Sequence, residues 1–316
     1  MSNMTLTENR VDSNSGRIER LSTASLRRVI EPDEEIHGGV GPGAILPREL
    51  LSVAGLDLEL TDEQWVTLSR EEMASMLDAG VRFESLLMAG FGVMIARTPD
   101  LVDARTTYIL HEVGEETRHS RLFLRALADL KPRAVNPFTR GIFPIIDRYM
   151  SSFIFRHPAL FCVLVLTGEE APDLIQKRSS EHPATDPFVR ELNKYHRMEE
   201  ARHLSFARML LPEALEKTSR FERWFVRHVS PVMMTGTFDS LVHPGVYETV
   251  GLPGWETWHQ VRKSAARVAL RAESFRPILA VLLDAGVFGR RRRVPRAWQK
   301  ACCVDASGAP MNPAAT

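Results

Sequence analysis

The sequence predicts an all-α protein, a bundle of long helices with additional helices attached. Three observations carry that expectation. From about Glu63 onward, apolar residues recur at helical spacing over long segments. Clean alternating strand patterns are scarce. One five-residue pattern, E-E-x-R-H, occurs twice, each time inside a long helical segment.

The elements follow in order. Residues 1–20 are polar, lack a periodic apolar face and are expected to be mobile. HGGVGPG at 37–43 reads as an irregular Gly/Pro connection, because it lacks the G-x-G-x-x-G spacing and no apolar strand leads into it. The first long helix runs from Glu63 to Arg97, and Thr98-Pro99-Asp100 ends it and starts the second. The second runs to Lys131, before Pro132. Pro132, Pro137, Gly141 and Pro144 mark a connection, and a shorter helix follows over Ile145–Arg156. A third long helix spans Pro158 to about Ser179. Asp186-Pro187 caps a fourth, expected to end near Leu211 because Pro212 follows. Further helical pieces lie near 213–228 and 257–286, and the last dozen residues look frayed. The expected division is an N-terminal arm over 1–45, a helical-bundle domain over 46–289 and a basic, frayed tail over 290–316.

Composition narrows the function classes. The 316 residues are 44% hydrophobic, enough for a sizeable core, and 40 basic side chains balance 40 acidic ones. A protein living on nucleic-acid phosphate carries a basic excess, so no nucleic-acid partner is expected, and the Arg290–Arg293 run reads as a solvated basic tail. Three cysteines support neither a disulfide framework nor a thiolate metal site. With no apolar signal core, and no apolar run of the ~18 residues a span needs, the expectation is a cytoplasmic protein without a membrane partner.

The chemistry sits in the repeated pattern. The second helix contains Glu115-Glu116-Thr117-Arg118-His119 and the fourth Glu199-Glu200-Ala201-Arg202-His203. Residues three apart share a helix face, so Glu116/His119 and Glu200/His203 can each send a carboxylate and an imidazole to one point. Both pairs interrupt apolar stripes: Ile109, Val113, Phe123 and Leu127 on one helix, Val189, Leu192, Phe206 and Leu210 on the other. Unpaired carboxylates there would cost several kcal/mol unless a metal or a buried arginine met them. Two further Glu-x-x-His pairs, Glu34/His37 and Glu256/His259, lie beside Gly and Pro outside long amphipathic helices and read as chance.

Symmetry supplies the remaining carboxylates. Glu84 on the first helix precedes Glu116 by 32 positions, and Glu169 on the third precedes Glu200 by 31, with Glu170 as a competitor for Glu169. Each half is then one helix with a buried Glu joined to one with E-E-x-R-H, the arrangement of a ferritin-like di-iron bundle. His196, four residues before Glu200, adds a third imidazole as a ligand or as a partner of one. Oxygen and nitrogen donors without thiolate suit iron, with manganese as the alternative, and open positions on such a site suit O2 chemistry.

The ordered set Glu84, Glu116-x-x-His119, Glu169, His196-x-x-x-Glu200-x-x-His203 resembles the di-iron N-oxygenases typified by the p-aminobenzoate N-oxygenase of aureothin biosynthesis. The third histidine separates this family from two-histidine di-iron oxygenases. The resemblance implies O2-dependent oxidation of an amine, often an arylamine, through hydroxylamine toward nitro. It implies two iron ions, with Glu116 and Glu200 bridging them. Glu84 and His119 would complete one iron, and Glu169, His196 and His203 the other. A small-molecule amine substrate, O2 as co-substrate and a separate electron donor are the expected partners, with a homodimer as an open possibility. Two other readings remain open: a di-iron C–H hydroxylase of a hydrophobic substrate, and a non-enzymatic ferritin-like metal-binding protein.

Overall fold

The computed structural model describes residues 2–27, 29–289 and 293–312. Among the described residues there is no strand, only one isolated bridge between Val304 and Pro310. The elements in chain order are α1 (Ser2–Arg27), α2 (Pro32–Glu35), α3 (Asp62–Arg97), α4 (Ala104–Leu130), α5 (Phe143–Ile154), α6 (Pro158–Glu181), α7 (Pro187–Glu216), α8 (Arg220–His228), α9 (Ser230–Ser240), α10 (Gly245–Glu248), α11 (Gly254–Val261), α12 (Ala265–Asp284) and α13 (Arg296–Cys302). The bundle is built from two hairpins, α3 with α4 and α6 with α7.

Local chemistry sets the ends of these helices. Thr61 and Gln64 form a capping box at the start of α3, and Asp186 accepts from the Val189 amide at the start of α7. Lys131 closes α4 in the left-handed region, with φ 49°. The second helix starts later than Pro99, because Asp103 caps it by accepting from the Arg105 amide. Pro212 does not end α7, which continues to Glu216. Buried Leu211 and Leu215 hold the chain helical on both sides of the missing amide.

Three segments differ from what their sequence led us to expect. Residues 2–20 fall within α1, whose packed face from residue 14 on is Asn14, Ile18 and Ser25. Two of those three are polar, so no apolar period announces the face, and Asn14 donates to Glu213 on α7. The tail is not frayed throughout: α13 buries Trp298 and Cys302, and the Trp298 indole donates to the Val226 carbonyl. Arg290–Arg292 of the basic run lie outside the described residues. Finally, α3 holds an 18-residue window of mean hydropathy 1.4, long and apolar enough by composition to cross a membrane. The expectation of no such stretch is corrected here, since Arg82 and Glu84 interrupt the run without lowering its average enough. In this fold that helix packs on α4 and borders a cavity.

The core has two apolar parts separated by a polar layer. Along α4, Tyr108 and Ile109 belong to one part and Leu122, Phe123 and Ala126 to the other. Along α7, Leu192 and Tyr195 lie in the second part and Leu204, Phe206 and Leu210 in the first. Both E-E-x-R-H segments fall in the gap. The crossing of α3 and α6 is close there, because a Cβ on Gly168 would overlap the Phe83 ring. That contact places their chain neighbours, Glu169 and Glu84, at the same layer.

Candidate metal centre

All seven side chains singled out in the sequence meet in this layer, and each is at most 4% exposed. Ligand atoms of Glu116, His119 and Glu200 lie within 4.8 Å of one another, as do those of Glu84, His119 and His196, and those of Glu169, His196 and Glu200. Glu170 turns away and accepts from Arg208 Nε at 3.0 Å. His37 and His259 are exposed, and neither joins such a group among the described residues.

The two motifs interlock across α4 and α7. His119 Nδ1 is 3.3 Å from Glu116 on its own helix and 3.3 Å from Glu200 opposite. His203 Nδ1 is 3.1 Å from Glu200 and 3.3 Å from Glu116. Behind each ring stands the first Glu of the other motif: His119 Nε2 meets Glu199 at 3.0 Å, and His203 Nε2 meets Glu115 at 2.8 Å. The arginines complete the exchange, Arg118 with Glu199 at 3.4 Å and Arg202 with Glu115 at 2.8 Å. Every fixed letter of E-E-x-R-H therefore has a partner on the other helix. A carboxylate on Nε2 keeps the proton there and turns the Nδ1 lone pair toward the carboxylate cluster.

The electrostatics show what the cluster lacks. Burial pushes Glu84 and Glu169 up, the latter well above the usual carboxylate range. Burial alone would lower the His119 imidazole, but Glu116, Glu199 and Glu200 outweigh it and push His119 up to about 10. His203 is raised in the same way. Burial also acts on Glu115, yet His203 and Arg202 hold it down at about 2. Oε1 atoms of Glu116, Glu169 and Glu200 accept no hydrogen bond. Converging carboxylates with open lone pairs, in a field negative enough to draw a proton onto both imidazoles, make a donor set that could hold a divalent-metal pair in place of those protons.

Sequence reasoning missed Glu112. It is fully buried, neither of its carboxylate oxygens has a hydrogen-bond partner, and it groups with Glu116 and His203. Burial pushes it up to about 8. The signal was available: Glu112 stands four residues before Glu116 as His196 stands four before Glu200. The structure also separates His196 from His203. His196 Nε2 lies 3.3 Å from Glu84, its ring centroid is 4.4 Å from that of His119, and no group among the described residues contains both His196 and His203. Seven residues span two helical turns, roughly 10 Å along the axis, so the two rings address opposite ends of the layer.

A cavity of about 1120 Å³ opens beside Glu84, Glu169 and His196, walled by α3, α5, α6 and α9. Glu112, Glu116 and His203 do not line it.

An all-helical bundle with a paired carboxylate–histidine layer defines a ferritin-like di-iron protein. Residues 12–286 match the family of p-aminobenzoate N-oxygenase AurF, and the chain belongs to that family. It is also 28% identical over 189 residues to an uncharacterized protein of Mycobacterium tuberculosis and to one of Mycobacterium bovis, a match covering 58% of this chain and 53% of theirs. The chain thus spans about half the length of these curated relatives.

Proposed function

We propose that this protein is an O2-dependent di-iron N-oxygenase that oxidises an arylamine nitrogen toward hydroxylamine and nitro. The observation that carries the reading is the three-histidine, four-glutamate cluster with a cavity on its Glu84–His196–Glu169 side. Glu116 and Glu200 face both ends of the layer, Glu84 and His119 flank one end, and Glu169 and His203 the other. His196 stands at the Glu84–His119 end, within reach of Glu169. When bound there, two iron ions would supply reductive activation of O2; manganese competes for the same oxygen and nitrogen donors.

The chain's own groups do the rest. Glu115 and Glu199 orient the imidazoles through Nε2. The apolar cavity walls keep water from the reacting nitrogen. The first oxidation consumes O2, two electrons and two protons; one oxygen goes to nitrogen and the other leaves as water. The electrons come from a separate donor.

The apolar cavity equally favours a second reading, C–H hydroxylation of a hydrophobic substrate by the same centre. Anaerobic loading with Fe(II), reduction, and exposure to 18O2 with an arylamine panel tests both. An 18O atom on nitrogen supports N-oxygenation. The label on carbon alone moves the protein to the hydroxylases, and no label in any product leaves a metal-binding protein.

A further inference from the structure

The cavity's size and charge say what kind of amine fits. Its roughly 1120 Å³ lies just above the about 300–1,000 Å³ range of sites for drug-sized ligands, so a one-ring acid would fill only part of it. Met76, Phe83, Met150, Ile154, Leu164 and Met233 supply apolar wall. Ile146 lines it too and is half exposed, so the cavity reaches solvent beside α5.

A ligand carboxylate would find no free cation there. Among the described lining residues the two arginines are already paired: Arg82 with Asp78 at 2.8 Å, and Arg262 with Asp239 at 3.0 Å while lying over the Trp258 ring. The other ionisable groups on the wall besides His196, namely Glu84, Glu169 and Asp147, are acidic. His196 is held by Gln176 at 2.8 Å and by Glu84. Besides the Glu169 carboxylate, an uncharged polar group on the wall is unfulfilled: Asn193 is 2% exposed, its amide nitrogen donates to Ser179, and its Oδ1 has no partner. Asn193 sits three residues before His196 on the same face of α7, at the metal end of the cavity.

We propose that the cavity binds an uncharged primary arylamine bearing an extended apolar substituent. Its NH2 group sits at the Glu84–His196–Glu169 end, with Asn193 Oδ1 accepting one N–H. A ring carboxylate, as in p-aminobenzoate, is not accommodated. The choice of an amine rests on the N-oxygenation reading; the apolar, carboxylate-free tail rests on the cavity alone.

Calorimetry with aniline, 4-butylaniline, 4-hexylaniline and p-aminobenzoate, on metal-free and on anaerobic Fe(II)-loaded protein, tests this. Affinity should rise about threefold to fourfold per buried methylene. In both states 4-hexylaniline should bind at least about tenfold tighter than p-aminobenzoate, an unmatched buried carboxylate being costlier than that. Asn193→Ala should weaken 4-hexylaniline about twofold to tenfold and leave hexylbenzene unchanged, a split that general loosening of the wall would not give. Equal or tighter binding of p-aminobenzoate, no gain with chain length, or no binding at all overturns the assignment, and the wild-type series decides even if the variant does not fold. If 4-hexylaniline binds as expected but reduced iron-loaded protein with O2 forms no N–O bond, the N-oxygenation reading falls and the cavity assignment stands. Preferred N-oxidation of p-aminobenzoate overturns the cavity assignment and leaves N-oxygenation in place.

Discussion

The α3–α4 and α6–α7 hairpins bring the same letters to one layer and differ at one place. Four residues before the shared Glu, α4 carries Glu112 and α7 carries His196. His196 lines the cavity, whereas Glu112 is fully buried at the His203 end and away from it. Repetition therefore builds two similar ends of the carboxylate–histidine layer, and the single departure gives the layer a front and a back. An imidazole faces the cavity. An additional carboxylate faces the packed core.

Removing the shared part should have the largest effect. Glu116→Ala with Glu200→Ala should take iron after anaerobic loading from about two per chain to none, read by metal analysis. Full occupancy in that double variant would end the di-iron reading.

Next come the residues behind the histidines. Glu115→Ala and Glu199→Ala should each lower iron affinity about 10–100-fold, to similar extents, in competition with a chelator. Their burial makes a second readout useful, since stripping one partner from a buried pair costs roughly 3–5 kcal/mol and should lower the melting temperature as well. If one variant lost iron and the other kept wild-type affinity, the symmetry of the interlock would be functionally empty.

The asymmetric pair sharpens the comparison further. His196→Ala should lower arylamine turnover by about tenfold or more while total iron falls less, and nitrogen ligation at one iron should drop by X-ray absorption or Mössbauer spectroscopy. Glu112→Gln should change the spectrum of the other iron and leave arylamine affinity in place. Identical consequences for the two substitutions would remove the front–back distinction. The smallest effect belongs to the chance pairs: His37→Ala and His259→Ala, both exposed, should leave iron content unchanged.

Much of the candidate site was legible because ligand-type side chains in a core break a pattern. A Glu or His inside an apolar stripe stands out, as at Glu84, Glu116 and Glu200, and doubling the motif separated two Glu-x-x-His pairs from two chance ones. The long helices were legible because periodicity and caps agree at Thr61 and Asp186. The rest depended on what lies across the bundle. Glu115, Arg118, Glu199 and Arg202 fall off the apolar stripe of their own helix, so only the opposing helix reveals them as buried partners. The polar face of α1 finds its complement in Glu213, nearly two hundred positions away. Placing His196 with His119 rather than His203 required the rise per turn, because sharing a helical face does not make two residues share a metal.

The reciprocal exchange behind the histidines also constrains how this chain can change over generations. Glu115 serves His203 and Arg202, and Glu199 serves His119 and Arg118, so each hairpin holds the charge balance of the other. A substitution in either motif leaves its cost in the opposite copy. The two halves, however they arose, are not free to drift apart at these positions: a neutral step requires matched changes on two helices about eighty residues apart, and paired variation between α4 and α7 is the record such a lock would leave in related sequences.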